Sequence, residues 1–243
     1  MLGLWKQSLN VAACGHEGED ASLYEMVKTT GMEFCPEIDL TIPVGKDSMS
    51  MKSSWKENDI DKSVTAPLSL IISAFSKTPD ARLQMTPLLN TEINSELFLV
   101  DLGLGKNRMG GSSLAQVFNQ VGNIAPDLDD PSLFAKFFSI MNSLNKKNLV
   151  SAFHDRSDGG AFISLVEMAF ASQCGLDISV SDLFTDLFNE ELGCIIQVSD
   201  NNKMTVLNEL AKIGLKEHIK SIAKINSTDE IVIYHEHVKV FQS

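Results

Sequence analysis

Apolar residues in this chain recur at two spacings, one helical and one alternating or continuous, and the two kinds of segment follow each other along most of its length. Glu19 to Thr30 places Leu23, Met26 and Val27 at helical spacing, and Gly31 follows as a C-terminal stop. Leu40 to Val44 reads as a strand running into Gly45-Lys46-Asp47-Ser48, and Pro67 to Phe75 as a second, buried strand. Ser76 to Asn94 then turns polar, holds Pro79 and Pro87, and is the best linker in the sequence.

Beyond that stretch the alternation is regular. Glu96 to Leu102 predicts a strand and Ser112 to Val121 a helix. Asp130-Pro131 caps a long amphipathic helix carrying Leu133, Phe134, Phe137, Phe138, Met141 and Leu144. Leu149 to Phe153 is a short strand ending at His154, and Gly160 to Ser172 is a helix apolar enough to require burial. Cys194 to Val198 and Glu230 to Val240 read as strands flanking a helix at Asn202 to Ile213. The pattern predicts a mixed α/β (α+β) chain with a boundary near residue 85. Residues 1–85 form a short sheet-rich piece, and residues 86–243 a complete α/β domain.

Composition narrows the partners. The 243 residues hold 20 Lys+Arg against 32 Asp+Glu, a net charge of −12, with 44% apolar and 21% charged residues. That is enough apolar material for a sizeable core. An acidic chain lacks the clustered cations that a nucleic-acid footprint needs. No apolar run approaches the roughly 20 residues of a transmembrane helix, and Met1-Leu2-Gly3-Leu4-Trp5-Lys6 is not a signal peptide. Cys14, Cys35, Cys174 and Cys194 are scattered without CxxC spacing, as in a cytoplasmic protein with reduced thiols.

Five local motifs can carry chemistry. His154-Asp155-Arg156-Ser157-Asp158-Gly159-Gly160 sits between a strand and a helix. Asp155 and Asp158 are hard oxygen donors of the kind Mg²⁺ takes, and a following helix start offers N–H groups to a phosphate. The same residues also fit an ordinary N-cap with a glycine turn. Gly45-Lys46-Asp47-Ser48 closes a strand, where Lys46 can pair with phosphate and Asp47 can bind metal or orient the lysine; a solvated turn explains them equally. Gly110-Gly111-Ser112-Ser113 opens a helix, so Ser112 and Ser113 are either phosphate donors or a connector with its cap. Gly15-His16-Glu17-Gly18-Glu19-Asp20 suits a helix N-terminus electrostatically. Phe188-Asn189-Glu190-Glu191-Leu192-Gly193 reads as a surface turn, and His235 and His237 as one half-exposed strand face without a third zinc ligand.

Together, in order and with similar gaps, these motifs resemble those of phosphoribosylformylglycinamidine synthase in its large single-chain form, from about residue 10 to the C-terminus. The resemblance implies the aminoimidazole-ribonucleotide-synthetase-like fold, in which a sheet-forming N-terminal domain is paired with an α/β C-terminal domain. This chain is similar to the second of the family's two tandem units: the end of an N-terminal domain, residues 1–85, and a whole C-terminal domain, residues 86–243. By the same resemblance the activity is conversion of formylglycinamide ribonucleotide, ATP and glutamine to the amidine in purine biosynthesis. ATP activates the amide oxygen as a phosphate ester, and glutamine-derived ammonia displaces it. The implied cofactors are ATP/ADP and Mg²⁺, with Asp155 a Mg²⁺ ligand and Ser157 a phosphate contact.

The family's other Mg²⁺ ligands and its glutaminase domain find no counterpart in the chain, so the resemblance implies a segment that is inactive alone. The alternative is a non-catalytic half holding ADP–Mg²⁺ as a scaffold. No nucleic acid or membrane partner is expected, and unpaired strand edges within residues 36–75 favour a homodimer of the segment.

Overall fold

The computed structural model describes residues 5–10, 17–48, 51–78 and 80–243. They fall into two units, Met1–Pro79 and Asp80–Ser243.

In the first unit, β1 (Trp5–Asn10) is the middle strand of three. It pairs in parallel with β2 (Val44–Ser48), Lys6 opposite Val44, and antiparallel with β5 (Ser69–Ala74), Trp5 opposite Ala74. Helix α1 (Glu19–Lys28) begins with Glu19 and Asp20, which suit the positive end of its dipole. Gly31 does not stop it. The backbone widens into a π-type turn at Thr29–Phe34 and continues into α2 (Cys35–Glu37). Leu40 is buried in the tail of this helical stretch, its amide bonded to the Cys35 carbonyl at 2.8 Å, so the strand expected from Leu40 starts only at Val44. A separate hairpin, β3 (Lys52–Glu57) and β4 (Ile60–Thr65), turns on Asn58-Asp59, both with positive φ. Every residue of both its strands is exposed.

The second unit is built on a seven-stranded sheet. Its strands are β6 (Ser95–Asp101), β7 (Ala152–Asp155), β8 (Gly175–Val180), β9 (Gly193–Ser199), β10 (Ile219–Asn226), β11 (Ile231–His235) and β12 (Val238–Gln242). The spatial order is β12-β11-β8-β10-β6-β9-β7, and every neighbouring pair is antiparallel except β11 with β8. Side chains of the central strands alternate between two cores. Leu97, Leu99 and Ile195 face Leu165 and Met168 of α5 (Gly160–Ser172). Phe98, Val100, Cys194, Ile196 and Val198 face α4 (Pro131–Lys146) and α7 (Asp200–Ala211). A sheet covered on both faces explains why these strands read as nearly continuous apolar runs.

Helix α4 buries Leu133, Phe137, Met141 and Leu144 at three- and four-residue intervals, and Asp130 caps it by accepting from the Leu133 amide at 2.8 Å. Helix α3 is shorter than its sequence suggests, covering Ser113–Val117, because Asn119 takes a left-handed conformation soon after. The stretch from Glu230 to Val240 is two strands, not one. They fold back at Glu236-His237, both at positive φ, so His235 and His237 do not share a strand face. The residue pattern alone does not mark the strands β8 and β10.

The polar stretch after Ser76 is only in part a connector. Its later residues are stitched into the second unit, which opens at Asp80. Leu89 is buried and its amide donates to Ser172 Oγ at 2.7 Å, while the Thr86 carbonyl accepts from Phe153 at 2.9 Å. The wholly buried Gln197 exchanges two hydrogen bonds of 2.8 Å with the backbone of Asn90. No helix among the described residues is long and apolar enough to cross a membrane.

Candidate functional site

Strand direction gathers the chemistry of the second unit at one end of its sheet. β6, β7, β8 and β11 run one way and end there, while β9 and β10 run the other way and start there. The loops after Asp101 and Asp155 and the turn before Gly193 therefore meet at one edge, although their sequences are far apart.

At the end of β7, Asp155 turns its carboxylate to solvent, 73% exposed, and accepts a hydrogen bond from the Ser157 hydroxyl. Asp158 is exposed beside them. His154 stands against this group, with Nδ1 2.7 Å from the Asp155 carbonyl oxygen and 3.6 Å from Asp155 Oδ1, and Nε2 2.9 Å from Glu167. Arg156 points inward. Its side chain is 1% exposed and its Nε donates to the Glu191 carbonyl at 2.6 Å. Gly159 and Gly160 open α5 with positive φ. A Cβ on Gly160 would lie 2.5 Å from the Leu187 carbonyl oxygen, so this position excludes any side chain.

The loop from β6 to α3 meets this group through residues 188–193. Glu191 is wholly buried and accepts from Arg108 Nε at 2.6 Å and Nη2 at 2.7 Å. A Cβ on Gly103 would meet the Glu191 side chain at 2.7 Å, which is why the loop passes it with a glycine. Hydrogen bonds to Glu191, joined by Asp129 and set against partial burial, raise the Arg108 pKa further above the ordinary guanidinium range. Asp129, held by Lys106 and then Arg108, lies below the usual carboxylate range. The Phe188–Gly193 segment is thus no surface turn. Asn189 and Glu191 are buried, and Glu190 Oε1 accepts both the Ser113 and the Gly159 amides at 2.8 Å.

The sequence-derived site residues fare differently. Asp155, Ser157 and Asp158 stand together and are accessible. Ser112 is wholly buried, and its hydroxyl donates to the Met109 carbonyl at 2.7 Å while accepting from the Ala115 amide at 3.2 Å. That makes it the cap of α3 in place of the expected phosphate donor. Ser113 is half-buried, with its amide committed to Glu190. Lys46 belongs to the first unit, exposed on β2 and bonded to the Ser48 hydroxyl. Asp47 lies on β2 as well, its side chain outside the described residues together with His16 and Cys14.

Among the described residues no group of three or more His, Cys, Asp or Glu is placed to hold a metal ion unaided. Asp155 suits Mg²⁺ in a different way. It is an accessible hard carboxylate of the kind that contributes one ligand while substrate phosphates and water supply the rest. The described cysteines are free thiols, and burial pushes the Cys194 thiol well up, away from nucleophilic use.

Two family models match the chain. Residues 5–77 fit the FGAR-AT PurM_N-like domain, and residues 99–236 fit the C-terminal domain of AIR synthase related proteins. The solved structure of T. maritima PurL complexed with ATP matches all of this chain at a TM-score of 0.66 and 10% identity. The same protein complexed with ADP matches 99% of the chain at 0.62 and 8%. E. coli HypE, a hydrogenase maturation protein, matches 98% of the chain at 0.66 and 15%. The chain spans 37% of the ATP-complexed PurL chain and 72% of HypE. At these identities the likeness is one of fold.

Proposed function

The chain belongs to the AIR synthase related family, and on that premise we propose that it is a segment of the enzyme that converts formylglycinamide ribonucleotide to its amidine with ATP and glutamine-derived ammonia. The succession of the two matched domains supports this reading, since the first is named for that amidotransferase. So do the PurL structures solved with ATP and with FGAR, which share the fold.

The observation that carries the site is the pairing of Asp155 and Ser157 at the end of β7, exposed, next to the glycine start of α5. Asp155 would hold Mg²⁺, which would supply neutralisation of phosphate charge, while Ser157 keeps that carboxylate oriented and contacts the phosphates. Asp158 is the nearby alternative ligand and Ser113 a contact at the neighbouring loop; Lys46 and Asp47, on β2 of the first unit, are candidates of their own for phosphate and metal contact. In the reaction, the amide oxygen takes the γ-phosphoryl group of ATP, ammonia adds at the activated carbon, and phosphate leaves.

The setting is cytoplasmic, and the segment works with a further synthetase half and a glutaminase. By itself it has no turnover. Among the described residues β2 and β5 are the outer strands of the first unit's sheet, and edges of this kind favour a homodimer of the isolated segment, to be read by light scattering.

Titration calorimetry of the longer enzyme with Mg-ADP tests the site. Asp155→Ala should weaken binding several-fold with an unchanged melting temperature. Equal affinity in a normally folded variant would remove Asp155 from the site. ADP that neither exchanges nor turns over would instead make this half a scaffold.

A further inference from the structure

We propose that Glu190 is a positioning residue, a carboxylate that fixes the α3 loop against the α5 loop and so sets the geometry of the edge where Asp155 and Ser157 stand. Its significance for a ligand rests on the nucleotide reading above; the loop coupling itself does not.

One oxygen, Oε1, accepts the amide of Ser113 at 2.8 Å and the amide of Gly159 at 2.8 Å. These belong to separate loops, one leaving β6 and one leaving β7, and no strand pairing joins them directly. Two amides at helix starts carry partial positive charge, so an anionic acceptor shared between them is favourable to both. The residues on either side of Glu190 cannot swing away. Asn189 is 2% exposed, donates to the Thr185 carbonyl and to Asn107 Oδ1, and accepts from the Glu191 amide at 3.1 Å. Glu191 is held by Arg108. The Glu190 backbone is thus anchored on both sides, and its carboxylate is a fixed post to which two loops are tied.

A second consequence concerns chemistry. The Gly159 and Ser113 amides, which the sequence suggests as phosphate donors, are already satisfied by Glu190. Recognition at this edge therefore falls to side chains, with Asp155 and Ser157 foremost, and the role of Glu190 is to hold them in register with the Gly103–Ser113 loop.

Amide hydrogen exchange on the full chain tests the coupling without any ligand. Glu190→Ala should speed exchange at both Gly159 and Ser113 at least tenfold, leave the interior of α5 protected, and barely shift the melting temperature. Glu190→Gln keeps an acceptor oxygen in the same place and should restore most of the protection at both. Wild-type exchange at either amide in the alanine variant would overturn the proposal. So would general loss of protection that the glutamine variant fails to rescue, because a diffuse packing role would then suffice.

Mg-ADP titration of the longer enzyme supplies the second arm. Weaker binding in Glu190→Ala with recovery in Glu190→Gln supports positioning of the site. Unchanged binding despite fast exchange overturns that role. Exchange as expected with no Mg-ADP binding by the wild-type enzyme would sink the nucleotide reading and leave the loop coupling standing.

Discussion

Arg156 donates from Nη2 to Asp101 Oδ1 at 2.6 Å, joining the end of β7 to the end of β6 across the intervening strand β9. The same guanidinium binds the carbonyls of Glu191 and Leu192, at 2.6 and 3.0 Å, and Asp101 in turn accepts the amides of Gly103 and Gly105. One buried cation thus holds three loops at the edge where Asp155 and Ser157 are displayed.

Asp101→Ala should cost about 3 kcal/mol of stability, because it leaves the Arg156 charge buried without a countercharge. Asp101→Asn, which keeps an acceptor, should cost less. Urea denaturation of both variants measures the difference. Equal midpoints for wild type and Asp101→Ala would show that the pair contributes nothing.

Ser112→Ala removes a helix cap and leaves the Ala115 amide and Met109 carbonyl without that partner. A loss of about 1 kcal/mol is expected. Mg-ADP affinity of the longer enzyme should hardly change, since the hydroxyl is buried. A large drop in affinity at unaltered stability would return Ser112 to the ligand site.

Asp186 gives the fold an acid-sensitive point. Burial opposes its ionised form, but Lys220, the Ser181 hydroxyl and the amides of Ser181 and Asp182 outweigh it and hold its carboxyl at about 2. A folded-state value below the unfolded one stabilises the protein fully above the unfolded carboxylate value of about 3.9, and that stability is lost as pH falls through about 2. Lys220 is more than half exposed, so solvent screening limits the effect to roughly 1 kcal/mol. Stability measured from pH 6 down to pH 2 should fall less steeply in Asp186→Asn than in wild type. Parallel curves would assign the acid sensitivity elsewhere.

The β11–β12 hairpin turns on Glu236-His237, with φ of 49° and 67°. Both side chains sit in a left-handed region that Asn and Gly tolerate better. Replacing the pair by Asn-Gly should raise stability by about 1 kcal/mol, read as a higher melting temperature. An unchanged or lower value would mean that the native side chains make compensating contacts.

Where an element's own residues dictate its conformation, the amino-acid sequence was sufficient. The Asp130 cap and the apolar stripe from Leu133 to Leu144 specify α4, and the apolar block from Gly160 to Ser172 specifies α5, because cap chemistry and helical periodicity act within a few residues. The grouping of Asp155, Ser157 and Asp158 before Gly159-Gly160 is likewise visible in the sequence, since all five lie within six residues.

Tertiary structure decided the rest. The β3–β4 hairpin shows no alternation because neither of its faces is buried, and the β11–β12 turn has no Asn-Gly to mark it. Residues 86–90 resemble a linker until Phe153, Ser172 and Gln197 satisfy the backbone of Thr86, Leu89 and Asn90. Glu190 and Glu191 look like surface charge because their partners, Ser113, Gly159 and Arg108, lie far away in the chain. A carboxylate becomes a fixed post only when strand order brings its donors within 3 Å, and no local spacing carries that information.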